Sequence, residues 1–266
     1  MIHAFYVLSL LVVIFYGLTA VQYWQLFFNE EQPKSKGQSY TLIAALTLHT
    51  CLLATLSCLN GRYPVGTPGE WLLVCTWLVA TVHLITEFLS KSKLLGIFSL
   101  LPTFLGVLLA VIMIEPVSSL PEKYKGAIFS MHIVVSLAAY ACFAIASIVS
   151  SMYILLFNKL KQKRFDVFFR KLPSLDELEG HATTWVYLGC LFLIIAPCIG
   201  WFWVQQHDPG EGMNPRELGI FIVAFISLTV ALLRSFFNFR GMRFALSVLV
   251  CFVLLALTQL LNVHGF

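Results

Sequence analysis

Histidine is the residue type in this sequence best suited to bind a metal ion. Three of the seven histidines, His132, His207 and His264, fall at or just beyond the ends of apolar segments. Most of each imidazole is uncharged at neutral pH, and a neutral ring carries a nitrogen lone pair that can ligate iron. A single histidine at such a position is more often merely polar, so the three indicate a site only if the fold places them together.

Aromatic and charged residues surround His207 in the chain. Residues 200–203 read Gly-Trp-Phe-Trp, and residues 213–217 read Met-Asn-Pro-Arg-Glu. Aromatic faces can stack on a flat macrocycle, and the guanidinium of Arg216 can pair with a carboxylate that the macrocycle carries. The competing interpretation is the ordinary belt of tryptophan at a membrane interface.

The composition determines which elements position these residues. The chain has 266 residues, of which 59% are hydrophobic and 11% charged, and its mean hydropathy is +0.86. Soluble domains carry about 25% charged residues, and one bilayer crossing needs roughly 20 apolar residues. The sequence therefore predicts a single all-α membrane domain over residues 1–266 with about eight transmembrane helices. The predicted spans are 4–27, 40–59, 70–89, 94–114, 127–157, 183–204, 217–237 and 243–262.

The basic residues predict the orientation of these spans. Of the 17 lysines and arginines, 13 lie in one alternating set of loops and four in the opposite set. Short loops rich in Lys and Arg stay in the cytoplasm. The N-terminus, the C-terminus and the loop 205–217 are thus predicted to lie outside, so that His132, His207 and His264 share the outer face.

The longest predicted cytoplasmic segment is the connector 158–182. It mixes Lys and Arg with Phe165, Phe168 and Phe169, as an interfacial amphipathic helix does. Ser174 and Glu177 have the spacing of a capping box for a new short helix before the sixth span. A solvated connector and a docking segment for a partner remain equally open.

Several other functions lack support in the sequence. The seven cysteines lie within predicted spans and form no C-x-x-C pair, which argues against zinc or a redox dithiol. The net charge of +4 follows from the topology, so no nucleic-acid partner is predicted. His83 and Glu87 lie four residues apart and favour a structural pair. A transporter would need further polar groups in adjacent spans, and the sequence does not reveal them.

Five stretches of the second half together resemble a known family. They are HIVVSLAAYACFAIASIVSSMYILL from His132, LPSLDELEGHATTWVYLGCLFLIIAPCIGWFW, NPREL, RSFFNFRGMRFA and the terminal NVHGF. In this order they resemble the cytochrome c assembly superfamily, in its CcsA and HemX-like branch. The resemblance covers spans five to eight by motif and spans one to four by layout.

The resemblance implies haem handling at the outer membrane face. Two external histidines, here His132 and His264, correspond to axial ligands of the haem iron. His49, in the second span, lies where the family carries an intramembrane ligand. The remaining positions that match the family site are Trp203, Tyr140, Asn214, Pro215, Arg216 and Glu217.

The chain departs from the family pattern at three positions. Met213 and Asn214 stand where the family loop has Trp and Asp before its proline, and Leu232 stands where haem lyases carry a histidine. The HemX-like branch is therefore the closer comparison, and no lyase activity is assigned.

We accordingly expect a haem-binding or haem-handling protein of the inner (cytoplasmic) membrane, with the lipid bilayer and other haem-handling or cytochrome c maturation proteins as partners. The alternative is a regulatory or scaffold subunit that has lost haem and acts through the connector. Transport of an ion or solute is the third interpretation.

Overall fold

Eight helices account for nearly all of the residues that the computed structural model describes. The described residues are 2–28, 37–90, 96–117, 126–163, 169, 171–207 and 215–262, and no strand occurs among them. The helices are α1 (Ile2–Phe28), α2 (Gly37–Asn60), α3 (Pro68–Ser90), α4 (Gly96–Met113), α5 (Ala127–Lys161), α6 (Leu175–His207), α7 (Pro215–Phe236) and α8 (Met242–Asn262). The all-α prediction is confirmed.

Six of these helices are long and apolar enough to cross a membrane: α1, α2, α3, α5, α6 and α7. Helices α4 and α8 contribute shorter apolar stretches, Phe98–Met113 and Met242–Thr258. Large apolar side chains such as Leu10 and Ile112 are 62% and 73% exposed. Lipid accounts for this exposure, since a helix must pair its backbone internally but can leave apolar side chains against hydrocarbon. The chain is a multi-pass membrane protein.

The helices pack as two compact units, residues Met1–Leu120 and Pro121–Phe266. In unit 1, α1 packs on α2 and α4, and α3 packs on α4 and α2. The core of this unit consists of side chains such as Phe5, Leu42, Leu73 and Leu100, each at most 2% exposed. In unit 2, α5 packs mainly on α6 and α8, and α7 packs on α8 and α6.

A buried ion pair fixes the connection between α2 and α3. Arg62 Nη1 lies 2.8 Å from Glu70 Oε2, and the two side chains are 5% and 0% exposed. The Glu70 carboxylate also accepts the backbone N–H groups of Gly66 and Thr67. These donors satisfy the buried carboxylate. Thr67 Oγ1 accepts the Glu70 backbone N–H at 3.3 Å and so caps the first turn of α3.

The predicted capping box begins α6. The Ser174 backbone N–H donates to Glu177 Oε2 at 3.0 Å, and the Glu177 N–H donates to Ser174 Oγ at 3.3 Å. The capping box is confirmed, but a separate short helix is wrong because the helix continues from Leu175 to His207. No proline interrupts residues 178–182, so the helix that begins at the cap continues into the membrane span. Phe165 and Phe168 of the predicted interfacial helix lie outside the described residues.

A tight turn joins α7 to α8, where Asn238 and Gly241 have positive φ values of 52° and 70°. The Gly241 N–H donates to Glu179 Oε2 at 3.1 Å, and Arg234 Nη2 lies 3.0 Å from Glu179 Oε1. Arg234 also lies over the ring of Phe244, 5.5 Å from its centroid. These contacts hold the α7–α8 turn against the start of α6.

Candidate functional site

His132 lies in the second turn of α5 and is half-buried against α6. Its Nδ1 is 2.7 Å from the backbone carbonyl oxygen of Ala196. A carbonyl oxygen can only accept, so Nδ1 carries the hydrogen, and the neutral ring then has its lone pair on Nε2. Metal-binding histidines are usually held in this way, with the second ring nitrogen donating to a carbonyl or carboxylate.

The close approach of His132 to α6 requires a glycine. A Cβ atom on Gly200 would lie 2.9 Å from both Nδ1 and Cε1 of the imidazole. Ordinary contacts between such atoms are about 3.5–4.0 Å, so any side chain at this position would displace the ring. Gly200 and Ala196 lie four residues apart on one face of α6, where they form a shallow seat for the imidazole.

Trp203 is the member of the aromatic sequence 200–203 that faces the bundle. It is 8% exposed, whereas Trp201 and Phe202 are 57% and 55% exposed. Its ring contacts Phe129, with centroids 5.3 Å apart and ring planes inclined at 51°. Phe129 and His132 are one turn apart on α5, so Trp203 and the imidazole lie at the same end of the α5–α6 pair.

Tyr140 lies deeper in the unit than His132. The two residues are eight positions apart on α5, which corresponds to about 12 Å along the helix. The Tyr140 hydroxyl is 3.4 Å from Thr258 Oγ1 of α8, and the tyrosine is 4% exposed. Tyr140 therefore links α5 to α8 and does not lie beside His132.

The start of α7 and the end of α8 lie together in unit 2. A Cβ on Gly219, in the second turn of α7, would lie 4.0 Å from Thr258 near the end of α8. The start of α7 and the end of α8 are therefore adjacent, and the end of α6 meets the start of α5 at His132. Arg216 and Glu217 occupy the first turn of α7. His264 and Asn214 lie outside the described residues, and His207 is the last residue of α6.

His49 belongs to unit 1 and is fully buried in α2. Its Nδ1 lies 3.2 Å from the hydroxyl of Tyr16, whose ring packs edge-on against the imidazole. A hydroxyl on a neighbouring helix thus pairs with one nitrogen of this histidine. Leu232, which stands where lyases carry a histidine, is 46% exposed and faces outward from α7.

The His83–Glu87 pair belongs to a larger group of buried polar side chains that the sequence did not reveal. His83 Nε2 lies 3.6 Å from Glu87 Oε2, and the side chains are 3% and 6% exposed. The Tyr23 hydroxyl and Ser39 Oγ donate to the two oxygens of Glu87, and Ser99 Oγ lies 3.1 Å from His83 Nδ1. We call Tyr23, Ser39, His83, Glu87 and Ser99 the four-helix polar cluster, since each helix of unit 1 contributes to it.

The sequence of α1 contains a repeat of polar residues that could have predicted this cluster. Ser9, Tyr16 and Tyr23 recur every seven residues on α1 and are all at most 3% exposed. A polar stripe at this spacing shares one helix face with the core residues Phe5 and Val12. Such a stripe in a lipid-embedded helix predicts polar partners on its neighbours.

Comparison with known proteins gives concordant matches. The model of a family described as cytochrome C assembly protein matches residues 6–263. A protein of Brevibacillus brevis named Protein HemX is 24% identical over 194 residues, which cover 73% of this chain and 71% of that protein. A Protein HemX of Bacillus subtilis (strain 168) is 22% identical over 254 residues, which cover 94% and 91% of the two chains.

Proposed function

Because the chain belongs to the cytochrome c assembly protein family, we propose that it binds haem at the predicted outer end of unit 2, through His132 and His264. It is a membrane protein of the cytochrome c biogenesis type. The proposal assigns binding and handling of haem at the outer face of the cytoplasmic membrane, and it assigns no covalent attachment of haem to a protein.

The orientation of His132 is the observation that carries this proposal. The hydrogen bond from Nδ1 to the Ala196 carbonyl leaves the Nε2 lone pair available, and the absence of a side chain at Gly200 allows the ring to lie directly against α6. This fixed orientation supports a role for His132 as an iron ligand.

Aromatic side chains lie close to His132. Trp203 and Phe129 pack against each other within one helical turn of the imidazole, and the proposal places the haem beside them. Arg216 and Glu217, at the start of α7, supply charges at the same end, where we expect the arginine to pair with a haem propionate. Asn214 and Tyr140 complete the proposed set, Tyr140 by fixing α5 against α8.

When bound, haem would supply a redox-active iron whose spin state and reduction potential depend on its axial ligands. The protein's own part is to orient two imidazoles, to cover one face of the macrocycle with aromatic side chains, and to hold the site at the edge of the bilayer. This arrangement suits transfer of haem to or from other haem-handling proteins on the outer side.

Haem binding to the purified protein tests the proposal. We expect the parent to bind one haem per chain, and His132→Ala and His264→Ala to lower the affinity at least tenfold. Added imidazole should restore part of the lost binding, because it replaces the missing ligand atom. His181→Ala is the matched control, since this exposed histidine lies near the opposite end of α6. A parent protein that binds no haem would refute the proposal.

A further inference from the structure

Two hydroxyl groups contact the carboxyl group of Glu87 and favour its ionised state. Ser39 Oγ donates to Oε1 at 2.6 Å, and the Tyr23 hydroxyl donates to Oε2. An ionised carboxylate only accepts, whereas a protonated carboxyl group must also donate its hydrogen. Two hydroxyl donors that face the two oxygens form the arrangement that stabilises the ionised state.

A buried negative charge in a membrane bundle needs a compensating positive charge. An isolated ion in an apolar interior is strongly disfavoured, and ionisable side chains within membranes pair with one another. Among the described residues, His83 is the basic group within ion-pair distance of Glu87, with 3.6 Å between Nε2 and Oε2. Helix α1 contributes one further titratable group, Tyr23, while α2 and α4 contribute the hydroxyls of Ser39 and Ser99.

We propose that His83 and Glu87 form a binding site for one exchangeable proton at the junction of the four helices of unit 1. The proton resides on the imidazole, so the pair carries a positive and a negative charge and has no net charge. In this state Nε2–H faces Glu87, and Nδ1–H donates to Ser99 Oγ at 3.1 Å. His83 Nε2 has no hydrogen-bond partner among the described residues, so its 3.6 Å contact with Glu87 is an ion-pair contact that requires the imidazole to be charged.

The cluster is closed on the side of α4 and accessible on the side of α2. A side chain at Gly96 would overlap the Tyr23 ring, so α4 lies directly against the tyrosine. Ser39 is the third residue of α2 and half-exposed, and its hydroxyl contacts Glu87 directly. The proton therefore exchanges through Ser39 with water at the predicted cytoplasmic end of the unit. Loss of the proton leaves the Glu87 carboxylate without a compensating charge, and this weakens the contacts between the four helices.

Nitrogen NMR of histidine in the bilayer-embedded protein tests the proposal. With ¹⁵N-labelled histidine at neutral pH, the signals of His83 should show both ring nitrogens protonated. In the isosteric variant Glu87→Gln, the same ring should carry one hydrogen, because the charge that retains the second has been removed. His49→Gln, which changes a buried histidine of the same unit without touching Glu87, should leave the His83 signals unchanged.

Infrared spectroscopy provides an independent test on the carboxylate. In His83→Gln the Glu87 carboxylate loses its compensating charge and should take up a proton from water. A protonated-carboxyl C=O stretch should then appear, and it should be absent in the double variant His83→Gln/Glu87→Gln. A neutral His83 ring in the parent, or a parent C=O stretch that Glu87→Gln removes, would overturn the proposal. A stoichiometric metal ion lost in His83→Gln would also overturn it, because a metal would then supply the compensating charge.

Discussion

The seat of His132 on α6 makes Gly200→Ala the most informative single substitution. The added methyl group would lie 2.9 Å from Nδ1 and Cε1 of the imidazole. Relief of the overlap requires the ring to move away, which lengthens the 2.7 Å hydrogen bond to Ala196. Overpacking costs about 1–3 kcal/mol, and loss of the hydrogen bond costs a further 0.5–1.5 kcal/mol or so.

The same substitution also has a favourable term. Alanine is about 1 kcal/mol better than glycine inside a helix, so the net destabilisation should be about 0.5–3.5 kcal/mol. Gly180→Ala on the same helix is the matched control, since a Cβ there meets nothing within 4 Å. We therefore expect Gly180→Ala to be neutral or slightly stabilising. Thermal unfolding of both variants in detergent micelles measures the difference, and equal stabilities would refute this account of the seat.

Three further predictions concern the rest of the chain. Reporters fused after residue 165 and after Phe266 should report a cytoplasmic and an outer location, respectively. An outer location for residue 165 would contradict the predicted orientation of the spans. Arg234→Ala should lower the free energy of unfolding, measured by thermal unfolding, by about 3 kcal/mol, because it leaves the partly buried carboxylate of Glu179 on α6 without its ion-pair partner. The control is Arg243→Ala, an exposed position, which should change the free energy of unfolding by less than about 0.5 kcal/mol. Leu100→Ala should cost about 2–5 kcal/mol in thermal unfolding, since Leu100 is fully buried in unit 1, and a loss below 1 kcal/mol or so would contradict the packing described for α4.

Apolar segments of bilayer length made the helices predictable from the sequence alone. The helix starts at Ala127 and Pro215 lie within two residues of the predicted spans. The ends at the connector were less predictable, because α5 continues to Lys161 and α6 already begins at Leu175. Hydropathy marks where a helix meets hydrocarbon, but a capped helix can continue into water beyond it.

The sequence predicted the place of His132 in the fold but not its contacts. Hydropathy predicted that His132 lies near the end of a helix. Its hydrogen bond to the Ala196 carbonyl could not be predicted, because every residue type supplies the same backbone acceptor. Likewise, spacing on one helix revealed His83 and Glu87, but Ser39 and Ser99 are reached only through packing between helices. Single-sequence periodicity reports the face of a helix and not its register against its neighbours.

The spin state of ferric haem bound to the purified protein tests the central claim most directly. Electron paramagnetic resonance should show low-spin, six-coordinate iron in the parent, as expected for two histidine ligands. Both His132→Ala and His264→Ala should convert the signal to high-spin, while His49→Ala should leave it low-spin. The opposite pattern, in which the two outer variants remain low-spin and His49→Ala loses the signal, would place the haem inside the membrane and contradict the account.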